Sequence, residues 1–533
     1  MTWPIAPDIG HKISWDLRDS LLQTWQVAWG GYALVHQPSH YFDANAFWPF
    51  DRSLTFSDAL VGYAPLAVFG HGPEAALVTY NVLYLFAYAL AFAGTYLLAR
   101  ELGTGPLAAA VAGAAFAYAP WRIYHAPHLN ILSSGGISLS LFLLLRGYRR
   151  RRPRTVLAGW LVATWQISLG WNLGLQFAYL LAFFSLLTVA VWLIRGRPNP
   201  GRKVIGASVF GIGVLVAVTA VLARPYLQTA REYPESRRSI DIVAYFSPPP
   251  KAFLAAPGYS LVWGRATKGI RESLASREEE SLFPGAMTLA LALLGVAAPA
   301  YSRRARIGLA LAAVVFAVYS LGFGIQGARL TYGFLYYHLP GWQGLRTPGR
   351  ITTLTSLALA LLAAAGAHYL IGVLGSRRRD RRGGAATATP VAAALLLLGA
   401  VLLEGYGKIP HPDVPSSPPE LAAARPPLLE LPFGYDFDEN LYMYWSTGGF
   451  YPIVNGLSGF RPTASLKLIE RMTAFPDATT VAELRSLGVR TVVLHLDLAR
   501  DTKWSNAGAR PVRSLPLVRT RVSDLVLFEI APS

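Results

Sequence analysis

The chain has 533 residues, of which 53% are hydrophobic and only 15% charged, and its mean hydropathy is +0.35. An ordinary soluble domain carries nearer ~25% charge, so a purely soluble enzyme is excluded and the composition is that of a polytopic membrane protein. The net charge of +18 does not mark a nucleic-acid partner, because the arginines fall in short clusters between apolar runs and not in a patch interleaved with aromatics. With no cysteine, disulfides and thiolate metal sites are excluded too.

In chain order, residues 1–74 form a polar leader rich in Trp, Tyr, Asp, His and Pro. An apolar stripe at 21–29 predicts an amphipathic helix at a membrane interface, and 60–69 predicts a second. Runs able to cross a hydrocarbon layer of ~30 Å as helices then occur in ten places, at 75–98, 106–121, 130–146, 155–170, 174–194, 203–223, 284–300, 307–323, 351–375 and 389–405. Four basic loops, at 146–154, 195–203, 303–306 and 377–382, belong in the cytoplasm by the positive-inside rule. The loop around His125, the long stretch 224–283 and the stretch 324–350 then face outward, with the leader and everything beyond Glu404. Stretch 224–283 reads as a long ordered loop with short helices, and loops of that length are commonly functional.

After Glu404 the apolar period stops. A Pro-rich linker at 410–427 leads to a strand at 428–432, a helix at 481–487 and strands at 491–496 and 525–530, a small α/β domain. The expected fold class is therefore mainly α, a transmembrane helical bundle with a C-terminal extracytoplasmic α/β domain, divided as 1–74, 75–405 and 406–533. Met1 is followed by Thr-Trp-Pro-Ile-Ala-Pro-Asp, with neither a basic n-region nor an apolar h-region. The expectation is a first span upstream of Met1; the alternative is that the next helix carries the leader across.

Charge is most informative in Trp15-Asp16-Leu17-Arg18-Asp19. Asp16 and Asp19 are three apart, so on a helix they share a face. A carboxylate near apolar surface gains basicity, while Arg18 holds it ionised, a balance suited to deprotonating a hydroxyl. Capping of the helix that begins near Ser20 explains the same spacing, and both readings stand.

A polar outer loop with this early Asp, the following Leu22-Gln23-Thr24-Trp25-Gln26-Val27-Ala28-Trp29, and Tyr41-Phe42-Asp43-Ala44-Asn45-Ala46-Phe47-Trp48-Pro49 resemble bacterial GT-C membrane glycosyltransferases. The resemblance extends through Ala119-Pro120-Trp121-Arg122, Leu345-Arg346-Thr347-Pro348-Gly349-Arg350, Leu429-Glu430-Leu431-Pro432-Phe433 and Val454-Asn455-Gly456. It implies a multi-pass enzyme of the bacterial cytoplasmic membrane that transfers a hexose or pentose, with inversion, from a polyprenyl-phosphate donor to a glycan, lipid or protein acceptor at the extracytoplasmic face. It further implies Asp16 as catalytic residue, with Asp19 as a second candidate for base or divalent cation. Membrane lipids are the other expected partner, and no nucleic acid is expected.

Arg346 and Arg350 frame Thr347-Pro348, where Thr as N-cap and Pro as first helical residue suit a helix start. A helix N-terminus flanked by guanidiniums is a phosphate site, and arginines gripping lipid headgroups fit equally. Arg122, His125 and His128 stand where many GT-C members carry a second acidic pair. Arg122 is a further candidate for the donor phosphate, and His125, His128 and Asp43 for acceptor or sugar, against helix-end and turn chemistry as the plainer account. The run Glu278-Glu279-Glu280 complements the dipole of the next helix, or through Glu279 joins Asp19 in holding Mg2+ or Mn2+. The rival functions are a lipid-linked glycan flippase and a non-catalytic envelope-assembly protein. Ion-driven transport uses ionisable groups inside spans, and here His368 and Glu404, each near a span end, are among the few.

Overall fold

The computed structural model describes residues 2–70, 72–194, 201–379 and 388–532. Parts of the basic loops expected at 195–203 and 377–382 lie outside these. The chain forms two compact units, one of residues 83–222 and 237–409, the other of 2–82, 223–236 and 410–533.

The first unit is helical. Each of the ten predicted apolar runs contains a helix, and among the described residues five helices are long and apolar enough to cross a membrane: Pro73–Leu102, Leu129–Arg149, Trp171–Ile194, Arg202–Glu232 and Pro348–Leu374. Pro106–Ala117, Ala286–Ala297 and Pro390–Glu404 are apolar but shorter. Small side chains set their packing, as expected where van der Waals fit replaces the hydrophobic drive. A Cβ on Gly295 would lie 1.9 Å from the Leu362 carbonyl oxygen, and one on Gly366 2.0 Å from that of Leu291. The helices Ala286–Ala297 and Thr352–Arg379 therefore touch backbone to backbone, over a core rich in buried alanines such as Ala360, Ala363, Ala364 and Ala367.

The two ionisable residues singled out near span ends serve as caps for neighbouring helices. Glu404 accepts the N–H groups of Ala286 at 3.0 Å and Met287 at 2.9 Å, and the Trp263 indole N–H at 2.9 Å. Those are the orphan donors of a helix start. His368 Nδ1 accepts the N–H of Gly105, the residue before Pro106–Ala117, at 3.2 Å.

The second unit is built on a four-stranded sheet of β1 (Leu428–Leu431), β2 (Thr491–His495), β3 (Leu517–Val522) and β4 (Leu525–Ile530), in the order β1-β2-β4-β3. β1 and β2 are parallel, and the other pairs antiparallel. The crossover between β1 and β2 contains helices Asp436–Ser446, Thr463–Met472 and Ala478–Ser486. Leu429, Leu431, Val492, Leu494 and Phe528 bury one face against Met472, Phe475, Val481, Leu484 and Trp504. The alternate residues Glu430 and His495 pair at 2.8 Å, and the Tyr442 ring stacks on His495 at 5.1 Å. Strand β3 is not expected from the sequence: this edge strand, Leu-Val-Arg-Thr-Arg-Val, has four exposed positions in a row and lacks the apolar run that marks the other three.

The leader is woven into this sheet. Phe47 and Trp48 donate backbone N–H groups to Asn455 and Ile453 at 3.0 and 2.9 Å, and Ile453 donates to Asn45 at 2.8 Å. On the other side, Leu428 of β1 donates to Pro452 and accepts from Val454. The Asn455 side chain completes the seam: Oδ1 accepts the Glu430 N–H at 2.7 Å and Nδ2 donates to the Glu430 carbonyl at 2.9 Å. Gly456 is needed beside it, since a Cβ would sit 2.4 Å from the Phe47 ring. The predicted helix at 21–29 is part of Asp19–His36, whereas 60–69 forms only a 3-10 turn at Val61–Leu66, with Pro65 inside it.

Asn455→Ala should destabilise the protein by about 2–4 kcal/mol, because it strands a buried N–H and C=O of Glu430 together. Thermal melts of the detergent-solubilised chain should show this against Asn506→Ala, at an exposed position, which should leave the melt unchanged.

Candidate functional site

Each unit holds one grouping of the expected site residues. In the sheet unit, residues 11–15 run alongside 410–414. Trp15 donates to the Pro410 carbonyl at 2.8 Å, Ile13 to Pro412 at 3.1 Å, and Val414 to His11 at 2.8 Å, while Lys12 and Asp413 pair at 2.7 Å. Held in this way, Trp15 has φ 79°, a left-handed conformation that is costly for a bulky residue. The next residue, Asp16, lines a cleft of about 830 Å³ together with Trp15, Leu17, Arg18, Pro410, His411, Pro412, Tyr435, Asp436 and Phe437.

Asp16 Oδ1 accepts the Arg18 backbone N–H at 2.9 Å and Oδ2 accepts Arg18 Nε–H at 3.2 Å, which fixes the carboxylate in an Asx-type turn. The helix Asp19–His36 begins with Arg18 at the N-cap and without a side-chain cap bond. Neither aspartate is thus the N-cap: Asp16 lies two residues upstream of it, and Asp19 is the first helical residue, where a carboxylate complements the dipole. The helix is anchored below by the Ser20 hydroxyl, which donates to the Ser14 carbonyl at 2.7 Å, and by the Trp25 indole, which donates to Asn45 at 2.9 Å. Asn45 in turn donates to Ser446 and to the Tyr451 carbonyl, so the position of Asp16 is tied to both the leader and the tail.

Asp43, from the same unit, is engaged locally. Its oxygens accept the Arg52 backbone N–H at 2.8 Å and contact His40 Nδ1 at 2.9 Å, bracing the left-handed turn at Arg52.

In the membrane unit, Arg350 and Glu279 form a buried bidentate pair, Nε to Oε2 at 3.1 Å and Nη2 to Oε1 at 2.5 Å. Burial pushes the Glu279 carboxyl up, but the charge and hydrogen bonds of Arg350 outweigh this and hold it below the usual carboxylate range. His125 Nδ1 lies 3.4 Å from His128 Nδ1, and burial pushes the His125 imidazole down to about 3. His125 is consequently neutral at physiological pH. Arg122 has no exposed surface. It donates to Ser134 and to the Leu132 carbonyl among the rings of Tyr88, Phe116 and Trp121, an internal brace between loop and helix.

Thr347 stands at the N-cap of the turn Pro348–Ile351 as expected, but its hydroxyl makes no cap bond. Arg346 lies over the Phe246 ring at 5.2 Å. Beside it stands Arg238, which sequence reading had not selected. Its N–H donates to the Gln343 carbonyl at 2.9 Å and its carbonyl accepts the Tyr336 hydroxyl at 2.7 Å. Burial and, secondarily, the positive charge of Arg346 push the Arg238 guanidinium down to about 10. The available signal was the Arg237-Arg238 doublet in the long loop. Among the described residues no group of three or more His, Asp or Glu is arranged to hold a metal ion, and Glu279 would have to give up Arg350 to become a ligand.

The sign of the His125 effect sets a pH test. Below its ordinary value of 6.5 the unfolded chain takes up a proton that native His125 refuses, so stability falls with pH from about 6.5 downward. Between pH 6.5 and 5 the loss should be roughly 2 kcal/mol. In thermal melts across that window, His125→Asn should have a flatter pH dependence than the wild type; equal slopes would count against a buried neutral imidazole.

No protein-family model matches the sequence, and no curated protein matches it. Solved structures do resemble it. Arabinofuranosyltransferase AftD from Mycobacteria superposes over all of this chain with a TM-score of 0.60 at 14% identity, and its R1389S mutant over 96% with a TM-score of 0.56 at 14% identity. The chain spans about two fifths of their length, 39% and 41%. An oligosaccharyltransferase from Archaeoglobus fulgidus aligns over 97% of this chain and 69% of its own, but with a TM-score of 0.39 and 13% identity, too distant to carry an argument. The polytopic helical unit and the small C-terminal sheet thus share the fold of part of that mycobacterial protein.

Proposed function

We propose that this protein is a GT-C-type membrane glycosyltransferase in which Asp16 is the catalytic base. One observation carries the reading: an early-loop carboxylate, fixed by its own turn, on the wall of an open cleft lined with aromatic and hydrogen-bonding side chains. The likeness to a solved arabinofuranosyltransferase supports it as fold-level analogy.

In the proposed reaction Asp16 takes the proton of an acceptor hydroxyl, the acceptor oxygen bonds to the anomeric carbon, and the bond from that carbon to the phosphate oxygen breaks, its electron pair leaving with the polyprenyl phosphate. Single displacement inverts the anomeric centre through an oxocarbenium-like state. Arg18 orients the base through two hydrogen bonds, and Asp19 at the first helical position is a weaker candidate for the same task. A donor that keeps its tail in lipid suits a bacterial cytoplasmic-membrane protein working at the extracytoplasmic face. Taken by itself, the membrane unit offers Arg346 and Arg238 as candidates for holding a phosphate group, because positive charge of this kind stabilises phosphate. Arg350 is less suited, being bound to Glu279.

A flippase is the weaker reading, since the intramembrane acid and histidine that would favour it are occupied as helix caps. In proteoliposomes carrying a labelled polyprenyl-phosphate sugar, Asp16→Asn should lower transfer by about 10²–10⁴-fold, the usual worth of a general base, and Asp19→Asn should cost less. Undiminished transfer in Asp16→Asn would remove Asp16 as base. Separately, Arg346→Gln and Arg238→Gln should each raise the KM for donor, and the double variant should do so more than either alone.

A further inference from the structure

The wall of the Asp16 cleft contributed by the tail domain has no role in the proton transfer, yet its surface is unusual. Tyr435 and Phe437 are 41% and 37% exposed, whereas Tyr442, Tyr444 and Trp445, further along the helix that begins at Asp436, are at most 5% exposed. Aromatic rings flanking a helix start and open to a cleft present flat apolar faces at the edge of water. Tyr435 is also held in place. Its ring meets that of Trp504 edge-on at 6.1 Å and 77°, and Trp504 is buried, with its indole bonded to the Met472 carbonyl at 2.9 Å. Between the two rings in sequence, Asp436 lies 3.6 Å from Arg461 yet stays largely exposed, so it can still accept hydrogen bonds from a ligand.

We infer that Tyr435, Asp436 and Phe437 form a carbohydrate subsite, so that the acceptor activated at Asp16 is a glycan. The rings stack on the C–H face of a sugar, Asp436 accepts from its hydroxyls, and a neighbouring sugar hydroxyl reaches Asp16. A cleft of about 830 Å³ falls within the range of small-ligand sites. Its charged lining of Asp16, Arg18 and Asp436 opposes a lipid chain, which would strand those groups in hydrocarbon. The acceptor role rests on the reading of Asp16 as base, but glycan binding itself does not, so it can be measured without donor.

The test is saturation-transfer NMR on the full-length protein in detergent micelles, with short oligosaccharides of arabinose, galactose, mannose and glucose at millimolar concentration and no donor present. At least one should receive saturation, strongest at ring C–H protons, and the signal should fall by an order of magnitude or more in Tyr435→Ala/Phe437→Ala. Tyr435→Trp should retain it, and a cooperative thermal melt of the double variant, whose lost rings are more than half buried, shows that loss of signal is not loss of fold. Absence of binding by every oligosaccharide to the wild type, or binding that survives the double substitution, would overturn the subsite. Binding that is lost on substitution while Asp16→Asn transfers sugar normally would leave the subsite standing and remove the base.

Discussion

The feature on which the sheet unit depends is the way Asn455 closes the open edge of β1. Its amide copies the donor and acceptor pattern of a strand residue against the backbone of Glu430, while its own carbonyl accepts from Phe47 of the leader. An unpaired strand edge is a liability that proteins cover. Here it is covered by residues 452–455, whose outer side is in turn bonded by Phe47 and Trp48 of the leader, some four hundred positions away in sequence. The seam and the Asn45 bonds to Trp25 and Ser446 hold leader and tail as one body. Whatever side of the membrane that body occupies, both chain ends share it.

The Asp16 cleft follows from this constraint. One wall comes from the turn before helix Asp19–His36, the other from the linker at 410–412 and the start of the Asp436–Ser446 helix. Neither segment is a cleft alone. The left-handed backbone of Trp15 is held by its hydrogen bond to the Pro410 carbonyl, so that surrounding structure offsets the local cost.

The membrane unit meets a different demand, the satisfaction of every polar group in a setting poor in water. Glu404 and His368 supply acceptors to neighbouring helix starts, Arg122 is caged by aromatic rings and carbonyls, and Arg350 is matched by Glu279. Arg122, Arg350 and Glu279 are candidates for function in the sequence, as charges in unusual places, and Glu404 and His368 are among the few ionisable groups near span ends. Their common explanation is that short helices packed through glycine and alanine leave termini inside the protein, where only side chains can reach them. Arg238 is half-buried, and both burial and the charge of Arg346 push its guanidinium down.

The apolar runs by themselves determined the class of this protein and the location of its helices, because crossing a hydrocarbon layer constrains length and composition strongly. Short apolar runs likewise marked β1, β2 and β4, which are buried on both faces. The prominence of Asp16 was also legible, as charge in a leader otherwise made for an interface. Sequence had no means of showing that Asp16 caps nothing, that Arg350 is taken by Glu279, or that Arg238 stands beside Arg346. Those pairings join residues dozens to hundreds of positions apart, and a side chain's chemistry depends on the neighbours that reach it. Only the tertiary structure decides which neighbours do.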